Sequence, residues 1–189
     1  MTSIIRILAV GLAAAFSIAP ASAGFLGQTI EATAHFPDFP GTTTAGPIDK
    51  VVGAGIEFND GEFTPFFGPS FDFDDTTILI THAQTGHSSG TFNGYQFNDI
   101  LGTLADIVVV SIISDSSGFF SGDPSRITWD ANNIFINFQG LDFSGIDDPR
   151  ILLSVAFGEI PLPGALPLFI SALAGFGFFG GRKNRKAAA

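Results

Sequence analysis

Between residues 24 and 159 the apolar side chains recur with period two more often than with period 3.6, and this alternation constrains the fold more than any other feature of the chain. In Asn133 to Phe138, the residues Ile134, Ile136 and Phe138 fall on one side of an extended strand, with Phe135 and Asn137 on the other. Thr76 to His82, Asp106 to Ile113 and Ile151 to Phe157 are short β-branched or Leu-rich runs bounded by Gly, Asp or Ser. No window in this stretch long enough for a helix carries a helical stripe. Turn chemistry separates the runs at Asn59-Asp60-Gly61, Asn93-Gly94 and Asp130-Ala131-Asn132. The pattern predicts seven to nine strands without alternating helices. The expected fold class is therefore all-β, a single antiparallel β-sandwich of jelly-roll or related kind.

Phenylalanine supplies the material for its core. Of 22 Phe, 17 lie between residues 24 and 159, and period two can direct such rings into the roughly 10 Å slab between two sheets. Each fully buried ring contributes about 1.5–3 kcal/mol. The chain has no cysteine, so burial must hold the domain without a disulfide. Trp129, between Ile127 and Ile134, and Tyr95 read as core positions; exposed rings of these types would instead suit stacking against a sugar.

Charge is segregated along the chain. All 18 acidic residues lie between 24 and 159, where the only cations are Lys50, Arg126 and Arg150, a net charge of −15. Such a surface repels phosphate backbones and offers no basic stripe, which excludes nucleic acid as a partner.

The two ends have a different character. Residues 1–23 place one cation, Arg6, before an apolar run from Ile7 to Ile18, then Pro20 and the small residues Ala21, Ser22 and Ala23. This is the plan of a secretory signal peptide, and it predicts a signal helix cut by signal peptidase between Ala23 and Gly24. As a helix the apolar run rises about 18 Å, short of the roughly 30 Å of a hydrocarbon core, which argues against a permanent anchor. Residues 160–181 carry no charged side chain, and Arg182, Lys183, Arg185 and Lys186 follow directly. The stretch from Leu166 to Gly181 makes about 24 Å of helix, enough to insert with local thinning and snorkelling of the cations. A C-terminal transmembrane helix is the expectation, with the basic cluster on the cytoplasmic side.

This order of parts, a Pro-containing motif (Ile160, Pro161, Leu162, Pro163, Gly164), an apolar helix beginning ALPLF and a terminal Arg/Lys cluster, resembles the PEP-CTERM class of sorting signals, in its VPLPA-CTERM variety. Leu162 stands where the most familiar motif has Glu, and Gly164 where the variety's name has Ala. The resemblance implies that the protein is an exosortase substrate, held transiently in the inner membrane of a Gram-negative bacterium that makes exopolysaccharide. The exosortase would remove the tail near the proline motif and release or re-attach the body at the cell surface. The physical part of this logic is local: prolines remove backbone donors and fix φ, keeping the motif extended for a protease cleft. The organisation expected is thus a signal peptide (1–23), a β-sandwich ectodomain (24–159) and a sorting signal (160–189).

The candidates for chemistry are sparse. His82 and His87 are five residues apart, at a strand end and in a Gly/Ser loop, without HExxH spacing; solvated loop histidines are the expected reading. Gly86-His87-Ser88-Ser89-Gly90 has Ser at its centre but lacks the strand-to-helix elbow of a hydrolase nucleophile. Asp72, Asp74 and Asp75, together with Asn59, Asp60 and Glu62, are hard oxygen donors of the kind Ca²⁺ collects. They match no EF-hand loop, and a solvated outer sheet face is the expected reading, with a calcium site as the alternative. No carboxylate pair is marked as glycosidic. No catalytic, cofactor or metal residue is therefore assigned. The expectation is an exported, non-enzymatic surface or matrix protein with a structural or adhesive role linked to exopolysaccharide. The alternatives are a carbohydrate-binding module using Ca²⁺ and, third, a surface hydrolase.

Overall fold

The computed structural model describes residues 23–63 and 68–159, and in these the alternating runs form nine β-strands in two antiparallel sheets. In chain order the elements are β1 (Thr29–His35), β2 (Thr43–Val51), β3 (Ser70–Phe73), β4 (Thr77–Thr81), β5 (Gly94–Asp99) and β6 (Ile107–Asp115), followed by one turn of helix α1 (Phe119–Gly122). A 3₁₀ turn over Pro124–Arg126 then leads into β7 (Ile127–Trp129), β8 (Asn133–Asn137) and β9 (Arg150–Phe157). One sheet has the order β2-β1-β5-β8-β7 and the other β3-β4-β9-β6.

The alternation resolves as its period demands. Ile134, Ile136 and Phe138 are buried while Phe135 and Asn137 are only half-buried. On β3, Phe71 and Phe73 face inward, leaving Asp72 and the following Asp74 on the outer side; Asp75 belongs to the turn into β4. The Asp130-Ala131-Asn132 turn closes the β7–β8 hairpin because Asp130 Oδ1 accepts the backbone N–H groups of Asn132 (2.9 Å) and Asn133 (2.8 Å).

Rings from both sheets interdigitate in one core. Phe97 of β5 meets Phe71 and Phe73 of β3 edge-to-face, with centroids 4.7 and 5.2 Å apart, and Tyr95 meets Phe71 at 4.9 Å. Such pairs add about 0.5–1.5 kcal/mol beyond their burial, which suits a fold that has no disulfide to rely on. Tyr95 is thus a core residue as expected, and burial pushes its hydroxyl pKa above the ordinary tyrosine range. The first and last core rings meet: Phe25 and Phe157 lie 5.0 Å apart, nearly perpendicular.

Several sequence expectations need correction. Asn93-Gly94 is not a turn. Asn93 accepts from Phe138 N–H (2.8 Å) and donates to Asn137 Oδ1 (3.1 Å), extending the β5–β8 ladder, and Gly94 begins β5. A Cβ at Gly94 would lie 1.9 Å from the carbonyl oxygen of Ile136, so only glycine allows β5 to approach β8 there. The Asn59-Asp60-Gly61 turn does form, with Gly61 at φ +94° and Glu62 N–H donating to Asn59 O, but it leads to a single bridge, Phe58 to Phe71, and not to a full hairpin. β2 carries no marked alternation, and β1 alternates with small alanines at two of its three apolar positions; neither is singled out as a strand by the sequence. Among the described residues no helix is long and apolar enough to cross a membrane. The expected signal helix and transmembrane helix fall on residues 1–22 and 160–189, outside the described residues.

Candidate functional site

Trp129 departs most from its sequence reading. It is 39% exposed rather than buried, because β7 is a three-residue strand at the edge of its sheet and its side chain reaches over the open side of the sandwich. There the indole Nε1–H donates to the carbonyl oxygen of Val108 on β6 (3.1 Å), the edge strand of the other sheet. The two edges, with the short helix between them in sequence, enclose a cleft of about 610 Å³. Its walls are β6 from Val110 to Ile113, the segment holding Ser121, Pro124 and Ser125, and Ile127 and Trp129 of β7. Val108, Val109 and Ile113 are exposed beside it. Asp115 fixes the helical wall: its Oδ2 accepts the N–H groups of Phe120 (2.8 Å) and Ser121 (2.9 Å). Burial would raise the Asp115 pKa, but its hydrogen bonds from Ser117, Ser121 and Phe120 outweigh that and lower it below the usual carboxylate range.

The histidines form a second locus, and the expectation of solvated rings was wrong for both. His82 is 4% exposed, and the Gly/Ser loop folds back so that His87 N–H donates to Leu141 O (2.8 Å) and Gly86 bridges Asp142. Phe143 stacks on His82 at 4.0 Å and Phe138 on His87 at 4.9 Å, and the two Nε2 atoms lie 2.6 Å apart. The acceptors assign the protons. His82 Nδ1–H donates to Ala83 O, which leaves its Nε2 to accept. His87 therefore carries its proton on Nε2 and donates it to His82. Its Nδ1 then faces Asn93 Oδ1 at 3.4 Å, a distance too long to demand a proton. Burial lowers both pKa values; for His87, proximity to His82 lowers it further and the Asn93 contact opposes, with the result at about 4. The pair is a neutral, aromatic-packed contact. The Ser88 carbonyl oxygen accepts from Asn93 Nδ2, and the Gly86–Gly90 loop leads into β5 without a nucleophile elbow.

The acidic residues do not converge. Glu62 is engaged by Lys50 Nζ (2.8 Å) and by Asn59 N–H, and Asp60 Oδ1 by Gly68 N–H (2.9 Å). Asp72 and Asp74 line a shallow depression on the outer face of the other sheet. Among the described residues no group of three His, Cys, Asp or Glu is arranged to hold a metal ion. His35, the remaining histidine, is buried with its Nε2 3.3 Å from Gln96 Oε1 and its ring edge-on to Phe39.

At the predicted signal cleavage, Ala23 is exposed and Gly24 buried, and a Cβ on Gly24 would lie 1.9 Å from Asp75 Oδ1. Ala21, the sorting motif Ile160, Pro161, Leu162, Pro163 and Gly164, and the basic tail Arg182, Lys183, Arg185 and Lys186 lie outside the described residues. Compared with known protein families, curated proteins and solved structures, the chain has no match in any of the three.

Proposed function

We propose that the chain is exported by its first 23 residues, sorted by its last 30 through an exosortase, and works outside the cytoplasm as a non-enzymatic structural or adhesive protein. Its body, residues 24–159, would reside at the cell surface or in the exopolysaccharide matrix of a Gram-negative bacterium. The carrying observation is the contact of Phe25 with Phe157, centroids 5.0 Å apart. The first core ring follows directly after the predicted signal cleavage, and the last comes three residues before the proline motif. Removal of both ends would therefore leave the core intact. Intact-mass measurement of the protein recovered outside the cell tests this reading. The expected species begins at Gly24 and ends near the Ile160–Gly164 motif; one that still carries RKNRKAAA would replace sorting by simple anchoring.

A second reading, carbohydrate binding, is favoured by the exposure of Trp129 beside the hydroxyls of Ser111, Ser121 and Ser125. Its calcium-dependent form draws less support, since Glu62 and Asp60 are already engaged within the protein. No geometry favours the hydrolase.

A further inference from the structure

The edge strand β6 keeps only part of the protection usual at a sheet edge: it is bulged near both ends and its start is covered by Ala131 and Trp129, but its middle carries no gatekeeper side chain. Ile107 to Ser114 contains no Lys, no Pro and no charge, and among the described residues β6 pairs only with β9. At the start of the strand the backbone is engaged, Ile107 N–H donating to Ala131 O (2.9 Å) and Val108 O accepting from Trp129 Nε1–H; beyond it, exposed Val109 and Ile113 add apolar surface to the outer edge. Register shifts between Ile107 and Val109 and between Ile112 and Ser114 bracket a regular stretch, Val109–Ile112, and this stretch borders the cleft that Trp129 walls. A regular stretch of edge strand whose outer side has no partner strand among the described residues, beside a cleft able to take side chains, is the geometry by which an extended peptide adds to a sheet.

Charge selects among occupants. Asp106, Asp115, Asp123 and Asp130 are each on, next to, or within two residues of a residue lining the cleft or its strand; among the described residues the nearby cations are Arg126 and, at the far end of β6, Arg150, which pairs with Asp148 (2.7 Å). Arg126 is itself spent on Asp123 (3.3 Å) and on the Gln139 carbonyl (2.9 Å). A second copy of this chain would add another net −15, and an antiparallel β6–β6 pairing centred on the regular stretch sets Asp106 against the other copy's Asp115. A polysaccharide could use Trp129 and the serine hydroxyls, but its hydroxyls do not repeat with the spacing of a strand's backbone groups, and most of the remaining wall is aliphatic.

We propose that β6 and the Trp129 cleft take an extended peptide from another protein, apolar at alternate positions and cationic at its ends, which joins the four-stranded sheet as a fifth strand. This goes beyond the export reading and stands whether or not the tail is processed.

Trp129 is the only tryptophan of the chain, so its emission reports the cleft directly. The full chain is titrated with the synthetic peptides KVTVTVK, EVTVTVE and KVTPTVK, and with dextran, while its association state is followed by sedimentation. The expected result is a saturable emission change with KVTVTVK, weaker for EVTVTVE and lost for KVTPTVK, whose proline removes a ladder donor. Ile113→Lys, at a half-exposed position, should weaken KVTVTVK by about tenfold or more through like-charge contact. Val109→Lys serves the same purpose if the first variant fails to fold. Equal responses to the cationic and anionic peptides, an undiminished response to KVTPTVK, saturation by dextran alone, or a dimer that Ile113→Lys dissociates would each overturn the proposal.

Discussion

Acidification from pH 7.5 to pH 5.0 should remove about 2 kcal/mol of stability through one side chain, His87. In the unfolded chain this histidine titrates at 6.5; in the fold, burial between Phe138 and His82 lowers it to about 4. A group whose folded pKa is depressed binds fewer protons in the fold than in the unfolded chain throughout the interval between the two values. The stability is therefore complete above 6.5 and declines as pH falls toward 4. At pH 5.0 the unfolded form is almost wholly protonated and the folded form almost wholly neutral, a ratio of about thirtyfold in binding polynomials, or roughly 2 kcal/mol. His82 is shifted in the same direction and adds to the loss, although Asp60 and the Ala83 carbonyl moderate its shift. Asp115 and Asp130 are shifted below 3.8, so their contributions fade only at lower pH and do not enter this window. Urea unfolding at a series of pH values is the assay. With a slope of about 1–3 kcal/mol/M, the midpoint should fall by roughly 1 M across the interval. His87→Gln should flatten the dependence to the share of His82. A midpoint constant from pH 7.5 to 5.0, or an equal slope in His87→Gln, would refute the burial argument.

Two packing predictions accompany it. Phe97→Ala, which empties a site meeting Phe58, Phe71 and Phe73, should cost about 3–5 kcal/mol in urea unfolding, and Phe97→Leu distinctly less. Gly94→Ala should cost about 1–3 kcal/mol or more, because the added carbon meets the Ile136 carbonyl, which cannot yield without parting β5 from β8; hydrogen exchange should show the loss concentrated in those two strands.

What was legible in advance followed local rules. The Asp130–Asn132 turn was readable because its hydrogen bonds close within three residues. β4, β6, β8 and β9 were readable because buried β-branched or aromatic side chains mark them. β1 escaped because TIEATAH presents small alanines to the core: Ala32 and Ala34 are buried between neighbouring strands, yet alanine carries little strand signal. β2 escaped because Gly46-Pro47 interrupts it, which an edge strand tolerates. The cleft was not legible at all, for it exists only where the outer edges of β6 and β7 come together across two sheets.

By itself the chain determined an alternating, phenylalanine-rich, acidic body between two apolar ends, since period two, ring content and charge are properties of neighbouring residues. Tertiary structure decided where individual side chains lie within that body. Trp129 is exposed because sheet order makes β7 an edge, and His87 is half-buried because Leu141, far along the chain, accepts its backbone N–H. Both outcomes depend on strand neighbours and loop closures distant in sequence, to which local pattern is blind.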